Sequence, residues 1–350
     1  MRVLCVSTPV GPLGGGVGGG VELTLTNVVR ALVQRGHAVT VLAPAGSVLP
    51  QAELWTVAGA AQISAQTQDR AAAIALPPDS VLARLWDRAR QHQADFDVIL
   101  NFAYDWLPFY LTAFLKTPVA HLVSMGSLSE AMDQAIAVVA QSHPRHLALH
   151  SRAQAETFPF PARWRVMGNG LDLSRYTFVD QPGEWLGWVG RLAPEKGLED
   201  AVAAAAALDQ PLRIWGAITE PDYWAWVQRQ YPSARLEYRG FLDTDRLQAE
   251  LGLCRGLVMT PKWVEAFGNV AIEALACGVP VVSYRRGGPA EILTPETGYL
   301  AQPDDLSDLR HGIMSLSRID RRACRQRAEQ EYSLAALGAR FESWLQTLVR

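Results

Sequence analysis

The sequence predicts an α/β protein made of two doubly wound lobes that face a central cleft. Short apolar runs recur along the chain, helical patterns separate them, and the whole cycle repeats after a polar stretch near residue 180. Continuous apolar strands that alternate with helices indicate parallel sheets covered on both faces. The chain of 350 residues is also longer than a single hydrophobic core usually allows, since cores rarely grow past roughly 250 to 300 residues.

A strand–helix repeat predicts the first lobe over residues 1–175. Arg2–Ser7 is predicted as a buried strand, and Ala38–Ala43 as the next strand beyond a helix at Glu22–Gln34 that stops at Gly36. The repeat then continues with helix Val81–Arg90, strand Asp97–Asn101, helix Trp106–Leu115, strand Val119–Val123, helix Ser129–Ala140 and strand His146–His150. This arrangement is typical of a Rossmann-like sheet.

A second Rossmann-like lobe is predicted over residues 183–333, after a linker at Tyr176–Gly183 that contains Pro and Gly. Its predicted strands are Trp185–Val189, Leu212–Trp215, Leu236–Tyr238, Gly256–Met259 and Val279–Ser283. Helices are expected at Gly197–Leu208 and Val270–Ala276. The Arg-rich tail from residue 318 onward is predicted to be helical, and we expect a helix at about residues 335–350 to pack back on the first lobe.

Composition and charge favour a soluble, cytoplasmic protein. Hydrophobic residues make up 49% of the chain and charged residues 19%, and the net charge of −3 gives no indication of nucleic-acid binding. No apolar run approaches the ~20 residues of a membrane helix, and Met1–Ser7 is too short for a signal-peptide core. The four cysteines lie far apart, which fits a reducing cytosol and no metal knuckle. Nothing in the sequence indicates an oligomeric state.

The strongest local signal is the stretch Trp263–Pro280, in which Glu265 and Glu273 flank Gly268 and Asn269. The Gly-Asn pair is predicted to begin a helix, where backbone N–H groups can bind an anion or a sugar hydroxyl. Glu273 would lie inside that helix among apolar neighbours, so we expect it to be partly buried and to need a polar partner. The alternative is an ordinary solvated glutamate.

A second signal follows the strand that ends near Gly190, where Arg191 and Lys196 lie in the loop before the next helix. Loops at the carboxyl ends of parallel strands line the ligand crevice, and two cations there suit a diphosphate. An ordinary charged loop is the alternative. However, the chain has only three lysines, Lys116, Lys196 and Lys262, and two of them fall in the suspected site stretches.

A glycine-rich loop between the first strand and the first helix satisfies a dinucleotide-binding pattern through Gly14, Gly16 and Gly19. The pattern has little weight in a run of many glycines. The acidic residue expected about 20 residues on is also missing, since the second strand ends in Leu42–Gly46. An NAD-dependent oxidoreductase therefore remains a rival hypothesis, and a loop that contacts phosphate or an acceptor is the better interpretation.

Asp243 and Asp245 have the spacing of a metal-binding Asp-x-Asp pair, but Asp243 is better interpreted as the N-cap of a helix. We therefore predict no metal site, and the chain shows no serine nucleophile elbow. A catalytically inactive sugar-nucleotide-binding module is a further rival, which the intact Arg191, Lys196, Glu265 and Glu273 argue against.

Residues 187–303 resemble the retaining glycosyltransferases of family four, which have the two-lobed GT-B fold and use nucleotide-sugar donors. The shared features are Gly190-Arg191 with Glu195-Lys196-Gly197, Gly240-Phe241, the Glu265/Glu273 pair, Ala276–Pro280, Gly287-Gly288 with Glu291, and Gly298. The first half matches more loosely, through Gly19-Gly20 with Glu22, Gly36-His37 and Asn169–Asp172.

The resemblance implies a role for each matched residue. Arg191 and Lys196 would hold the donor diphosphate, and the predicted catalytic residues are Arg191, Lys196, Glu265 and His121. Glu265 would contact the hexose hydroxyls and Glu273 the ribose hydroxyls. Donor contacts would also come from Gly19, Gly20, Gly190, Phe267, Gly268 and Asn269. The family needs neither a metal nor a cofactor, and its retention of configuration implies attack on the face from which the phosphate leaves.

One departure concerns a His-Asp pair that the family often has after a strand of the first lobe. Here the region is Val119–Gly126, and no Asp follows His121. Either His121 or Ser124 would face the donor sugar, and a His packed in a strand is the alternative.

A narrower resemblance, through Asn101–Trp106 and Ser124–Ser127, is to the cyanobacterial pteridine glucosyltransferases. It implies UDP-glucose as donor and tetrahydrobiopterin or a related pterin as acceptor. Tyr104 and Trp106 offer aromatic faces at a strand's carboxyl end, Asp105 offers a hydrogen-bond acceptor, and Ser124 joins them as a candidate acceptor residue. Phe109 and Tyr110 are interpreted as helix core. Another small molecule, a lipid or a polysaccharide remains an alternative acceptor.

Overall fold

The computed structural model describes residues 1–14 and 19–349 of the chain. These residues form two units. One comprises Met1–Gly170 together with the stretch from Leu334 onward, and the other comprises Leu171–Ser333. Within the described ranges, no helix is both long enough and apolar enough to cross a membrane.

A seven-stranded parallel sheet lies at the centre of the first unit, in the order β3-β2-β1-β4-β5-β6-β7. Its strands are β1 (Arg2–Val6), β2 (Ala38–Pro44), β3 (Glu53–Val57), β4 (Val98–Asn101), β5 (Val119–Val123), β6 (Leu147–Leu149) and β7 (Arg165–Val166). Strands β4 and β5 are buried along their whole length. Helices cover both faces of such a sheet, which explains why these strands are continuous apolar runs in the sequence.

The helices that precede residue 170 are α1 (Gly19–Gln34), α2 (Val81–His92), α3 (Trp106–Leu111), α4 (Glu130–Ser142) and α5 (Arg152–Ala155). Helix α2 begins where the sequence places a good cap, because Ser80 Oγ accepts a hydrogen bond from Ala83 N at 3.3 Å. Helix α3 is short and continues as a 3-10 turn at Thr112–Phe114.

The second unit contains a six-stranded parallel sheet in the order β10-β9-β8-β11-β12-β13. Its strands are β8 (Leu186–Val189), β9 (Leu212–Trp215), β10 (Leu236–Tyr238), β11 (Gly256–Met259), β12 (Val281–Tyr284) and β13 (Gly298–Ala301). Its helices are α6 (Leu198–Ala207), α7 (Pro221–Gln230), α8 (Thr244–Gly252), α9 (Asn269–Ala276), α10 (Pro289–Ile292), α11 (Leu306–Ser315) and α12 (Arg321–Glu331). The predicted class, α/β with two Rossmann-like parallel sheets, is confirmed.

The last helix, α13 (Leu334–Val349), belongs to the first unit although it follows the second along the chain. Its side chains Phe341, Trp344 and Leu345 are buried in the same core cluster as α1. At the crossing, a Cβ on Gly338 would lie 3.2 Å from the Cβ of Ala31, so the absence of a side chain allows the two helices to approach closely.

Some predicted boundaries are wrong. The segment Tyr176–Gly183 is not a linker, because Tyr176 is only 4% exposed and lies inside the second unit. Strands β3, β7 and β13 were not predicted, and helix Trp106–Leu115 ends at Leu111.

Candidate active site

The loop between β8 and α6 carries the two cations that the sequence singled out. At its start, Gly190 N donates to Trp215 O at 3.0 Å, which ties the end of β8 to β9. Arg191 Nη2 lies 2.7 Å from Glu195 Oε1, and 41% of the Arg191 side chain is exposed. Exposed pairs contribute little to stability. Arg191 can therefore exchange Glu195 for another anion at small cost.

Lys196 and Glu265, predicted to hold different parts of a donor, bind each other. Lys196 Nζ lies 2.5 Å from Glu265 Oε2, and Trp263 Nε1 donates to the same oxygen at 3.1 Å. The ammonium is also 4.7 Å from the centre of the Trp263 ring, a cation–π distance. Glu265 Oε1 accepts no hydrogen bond from the described residues. One carboxylate oxygen thus orients Lys196 while the other is left for a hydroxyl donor.

Glu273 lies inside α9 and is buried, with 8% of the residue exposed. The predicted need for a polar partner is met by Tyr176, whose hydroxyl donates to Glu273 Oε1 at 3.1 Å. Burial raises the pKa of Glu273 to about 7, against the lowering effects of the Tyr176 hydrogen bond and of Arg175. The carboxyl group therefore titrates near neutral pH. Sequence reasoning missed Tyr176, because its partner lies 97 residues away.

Helix α9 begins at Asn269, and the residue before it, Gly268, has a left-handed backbone with φ of 97°. Residues other than glycine rarely adopt that conformation, which explains the glycine at this position. Phe267 is 7% exposed, and its ring packs edge-on against Tyr332 at 6.1 Å. The predicted supporting residues Phe267, Gly268 and Asn269 thus form one fixed turn at the start of the helix that carries Glu273.

Close backbone packing fixes the segment that carries Glu265. Gly288 N donates to Glu265 O at 2.7 Å, and a Cβ on Gly287 would lie 2.3 Å from that same oxygen. Gly287 also has a φ of 75°, so a larger residue is excluded there on two grounds. The Gly-Gly pair therefore has a positioning role that its spacing in the sequence did not reveal.

Lys262, the other lysine of the suspected stretches, belongs to a supporting network of charges. Its Nζ contacts Asp200 and lies 3.0 Å from Asp304 Oδ1, while Tyr284 donates to Asp200 at 2.6 Å. Arg286 Nη2 lies 2.6 Å from Asp304 Oδ2. These contacts leave Lys262 committed to two neighbouring carboxylates, whereas the Lys196 ammonium contacts one carboxylate, Glu265, and the Trp263 ring among the described residues.

The prediction that His121 faces the donor sugar does not agree with its position. His121 is fully buried in β5, and both ring nitrogens are engaged: Nδ1 lies 3.1 Å from Asn101 Nδ2 and Nε2 lies 2.8 Å from Thr112 Oγ1. Phe109 stacks on the ring at 4.2 Å. Burial lowers the pKa of His121 well below its ordinary value, so the ring is neutral. Its position is that of a core histidine.

The candidate acceptor residues lie beyond the carboxyl end of β4. Tyr104 is 6% exposed, and its hydroxyl donates to Gly126 O at 3.1 Å. Asp105 precedes α3 but accepts no hydrogen bond within the described ranges, and burial raises its pKa to about 7. Trp106 stacks on Tyr110 at 4.5 Å, and Tyr110 is half exposed. The interpretation of Tyr110 as core is thus wrong, whereas Phe109 is core at 3% exposed.

Ser124 directly follows β5, at the same edge of the sheet as the residues after β4. Its Oγ is shielded from solvent yet has no hydrogen-bond partner among the described residues. A buried hydroxyl without a partner costs free energy in the ligand-free protein. Ser124 rather than His121 therefore offers an unsatisfied polar atom beyond β5.

The glycine-rich loop is described only in part. Gly14 N donates to Glu22 Oε1 at 2.5 Å, and α1 begins at Gly19 and continues through Gly20. Gly16, which completes the dinucleotide-binding pattern, lies outside the described residues.

Asp243 caps α8, since its Oδ1 accepts a hydrogen bond from Arg246 N at 3.0 Å. Asp245 instead lies 2.8 Å from Arg175 Nε. The preferred interpretation of Asp243 as an N-cap is therefore confirmed. Across residues 1–14 and 19–349, no group of three or more His, Cys, Asp or Glu side chains is placed to hold a metal ion.

Comparison with known proteins identifies related sequences for both units. Residues 179–331 match the family described as glycosyl transferases group 1, and residues 18–125 match Glycosyltransferase Family 4. The chain is 33% identical over 192 residues to glycogen synthase of Mycobacterium tuberculosis, and the matched stretch covers 50% of this chain and 46% of that protein. It is 31% identical over 204 residues to D-inositol 3-phosphate glycosyltransferase of Rhodococcus erythropolis, and this match covers 51% of this chain and 45% of that protein. The chain thus spans about half the length of these relatives.

Solved structures with the same fold cover nearly the whole chain. AviGT4, a glycosyltransferase involved in avilamycin A biosynthesis, superposes with a TM-score of 0.74 at 22% identity and covers 100% of this chain and 98% of its own. Anabaena Alr3699/HepE in complex with UDP and glucose gives a TM-score of 0.74 at 19% identity, with 99% and 100% covered. Both units thus match glycosyltransferase family models, over residues 18–125 and 179–331, and the paired parallel sheets have the GT-B fold of these solved glycosyltransferases.

Proposed function

We propose that this protein transfers glucose from UDP-glucose to a small acceptor with retention of configuration at the anomeric carbon. The observation that carries the proposal is the contact of Lys196, in the loop after β8, with Glu265, which lies shortly before the helix α9 that carries the buried Glu273. Arg191 lies in the same loop as Lys196. UDP-glucose as donor is supported by the complexes of HepE with UDP and with UDP-glucose, which has the same fold.

On the donor side, Arg191 and Lys196 bind the diphosphate, Glu273 accepts hydrogen bonds from the ribose hydroxyls, and Glu265 from the hexose hydroxyls. The existing pairs favour this division. Glu265 already holds Lys196 by one oxygen, so a hexose hydroxyl can donate to the other. The two cations stabilise negative charge as it develops on the departing diphosphate, and Lys196 is oriented in advance by Glu265 and Trp263.

In the transfer step the bond between the anomeric carbon and the diphosphate oxygen breaks, and a bond to the acceptor oxygen forms on the same face. The acceptor proton passes to the departing diphosphate oxygen, which acts as the base. UDP and the glucosylated acceptor are the products, so atoms and charge balance without a metal ion or a cofactor. The prediction of retention rests on the family resemblance. Attack on the face that the diphosphate leaves requires no nucleophilic side chain of the protein.

On the acceptor side, Asp105, Trp106 and Ser124 bind a planar heterocycle such as tetrahydrobiopterin or a related pterin. Trp106 offers a ring already stacked on Tyr110, and stacking on an aromatic face adds ~0.5–1.5 kcal/mol beyond buried area. Asp105 has a carboxylate without a hydrogen-bond donor among the described residues, which suits the amino-pyrimidine edge of a pterin. Tyr104 contributes less directly, because its hydroxyl is bound to Gly126 O.

The test is turnover of UDP-glucose with a panel of acceptors, followed by intact-mass detection of products that gain one hexose. The panel contains a tetrahydropterin, an aminocyclitol, an inositol phosphate and a glucan oligomer. We expect the tetrahydropterin to be glucosylated and the anomeric proton coupling in NMR to show the α linkage. Transfer to the glucan alone would reject the pterin, and oxidation of NADH in place of transfer would revive the oxidoreductase hypothesis.

A further inference from the structure

The first unit has a cavity of about 480 Å³ at the edge of the sheet opposite the candidate acceptor residues. It is lined by Pro144, Arg145, Arg163, Trp164, Arg165, Val166, Trp344 and Thr347. Arg145 precedes β6, and Arg163 precedes β7, so the cavity lies at the amino ends of these parallel strands. Asp105 and Ser124 follow the carboxyl ends of β4 and β5. The cavity is thus separate from the predicted acceptor site.

Three of the eight lining side chains are arginines, and none is acidic. Among the residues that the structure describes, no carboxylate lies within ion-pair distance of Arg145, Arg163 or Arg165. Arg165 Nη2 donates only to the neutral Ser343 Oγ, at 2.8 Å. Elsewhere in the described residues, most arginines whose guanidinium group binds a side chain bind an Asp or Glu. The three guanidinium groups around this concave surface have no such partner, so they form a local excess of positive charge.

The cavity wall is held in place by its two tryptophans. Trp344 is 1% exposed, and its Nε1 donates to Arg145 O at 2.9 Å, which anchors the backbone that carries Arg145. The Trp164 ring packs 4.9 Å from Phe158, and its indole N–H donates to no residue of the described ranges. The lining therefore combines apolar ring faces with the exposed guanidinium groups of Arg145 and Arg163, which make no ion pair with the described residues.

We propose that this cavity is a second, non-catalytic binding site for a phosphate group carried on an apolar or ring-bearing ligand. Guanidinium groups match phosphate geometry by paired N–H donors, and a phosphate group supplies the negative charge that the lining lacks. The Trp164 face accommodates the part of the ligand next to the phosphate. This chemistry has two sources, a soluble phosphorylated molecule and the headgroup of an anionic phospholipid.

The decisive variant is the double substitution Arg145→Gln/Arg163→Gln, because both side chains make no hydrogen bond through their guanidinium groups and removing them disturbs no described contact. Arg229→Gln/Arg318→Gln is the matched control, since these two arginines are exposed, lie in the second unit and make no ion pair there. Thermal unfolding of both variants checks that the fold is retained. The single variant Arg163→Gln serves if the double variant is unstable.

The soluble arm titrates inorganic pyrophosphate into the protein by calorimetry, and the lipid arm measures cosedimentation with phosphatidylglycerol-containing vesicles against pure phosphatidylcholine. Arg191→Ala is titrated in parallel, because on the proposed function it weakens pyrophosphate binding at the donor residues and leaves this cavity unchanged. We expect the Arg145/Arg163 variant to lose about tenfold or more in one arm while the control retains wild-type binding.

Loss confined to the pyrophosphate arm identifies a soluble ligand, and loss confined to the vesicle arm identifies a lipid headgroup. If the variant and the control behave alike in both arms, including the case in which the wild-type protein binds neither probe, the cavity is not a phosphate site and the proposal is wrong. A loss seen only with Arg191→Ala would support the donor site and reject the cavity.

Discussion

The candidate donor residues of the second unit and the candidate acceptor residues of the first unit differ in what their side chains touch. Lys196 and Glu265 bind each other, and Arg191 binds Glu195, so the charged groups on the donor side have partners before any ligand arrives. By contrast, Asp105 and the Ser124 hydroxyl accept and donate no hydrogen bond within the described ranges.

The difference bears on what each group of residues can select. Charges that are oriented in advance stabilise a diphosphate without reorganisation, and any nucleoside diphosphate sugar presents that same group. Polar atoms that lack partners must find them in the ligand or in water, and a site built this way rejects analogues that leave the atoms unpaired. We therefore expect the protein to discriminate more strongly among acceptors, through Asp105 and Ser124, than among nucleotide-sugar donors.

The largest expected effect comes from removing a donor-side cation. Lys196→Ala should lower kcat/KM by at least about 100-fold, because the diphosphate loses a charged partner in a partly buried setting. Lys116→Ala is the control, since Lys116 is an exposed lysine of the first unit. Arg191→Ala should behave like Lys196→Ala. Wild-type kcat/KM in both donor-side variants, measured with UDP-glucose, would disprove the assignment.

A smaller effect is expected from the buried carboxyl group of the second unit. The hydrogen bond from Tyr176 favours the ionised form of Glu273, so Tyr176→Phe should raise the Glu273 pKa above its present value of about 7. UDP should then bind several-fold more weakly at pH 7 and recover at higher pH, because the ionised carboxylate is the stronger acceptor for ribose hydroxyls. Calorimetry between pH 6 and about 9 tests this, with Tyr110→Phe as control. A pH profile identical to that of wild type would contradict it.

The raised pKa of Glu273 also predicts how the free energy of unfolding depends on pH. In the folded state Glu273 holds its proton to about pH 7, whereas in the unfolded state it ionises near its ordinary value of 4.5. The folded state therefore binds more protons between these values, and the free energy of unfolding falls as the pH rises through that window. Glu273→Gln should then raise Tm by a few degrees at pH 8 but change it little at pH 4, while weakening UDP binding. Glu156→Gln, at an exposed glutamate, is the control. A lower Tm for Glu273→Gln at pH 8, with the Tm of the control unchanged, would show that burying the Glu273 charge is not the dominant cost to stability.

A further prediction concerns the acceptor side. Trp106→Ala should raise the acceptor KM roughly three- to tenfold, the equivalent of one aromatic stacking contact. Asp105→Asn should raise it by a similar factor above pH 7, where the wild-type carboxyl group, with its pKa raised to about 7, is ionised. UDP affinity should remain unchanged in both variants. Weaker UDP binding with an unchanged acceptor KM would move these residues to the donor side.

The smallest expected effect is that of a chelator. Because Arg191 and Lys196 neutralise the diphosphate, we expect kcat to be unchanged after treatment with EDTA. Complete loss of activity that Mg²⁺ or Mn²⁺ restores would instead show that a divalent cation shares the role assigned to Lys196.

Much of the fold follows from local pattern, because buried parallel strands are continuous apolar runs. Strand β3 was missed because none of its residues is fully buried, so it lacks the continuous apolar run of a central strand. Strand β13 was missed because its short run begins at a glycine. The error at Tyr176–Gly183 has a different origin. A Pro- and Gly-bearing segment indicates a linker locally, but Tyr176 is buried by a partner far along the chain.

Local placement was predictable where a short pattern specifies it: Arg191 and Lys196 lie in the loop after β8, and Glu273 lies buried in α9, as the sequence predicts. The roles assigned to these residues stay predictions. Placement was not predictable where the decisive fact is a contact distant in sequence. His121 shows this limit: a polar residue in an apolar strand indicates function, yet Thr112 and Asn101 satisfy both of its nitrogens inside the core.

Helix α13 has a consequence for the order in which the protein folds during synthesis. Phe341, Trp344 and Leu345 complete the core that contains β1 and α1, so one side of that core stays exposed to water until residues 334–349 leave the ribosome. The second unit, in contrast, has all of its strands available earlier. Vectorial synthesis therefore reverses the usual sequence of events, because the unit that is translated first reaches its final packing last. The apolar surface that α13 covers stays open to water while the second unit is translated.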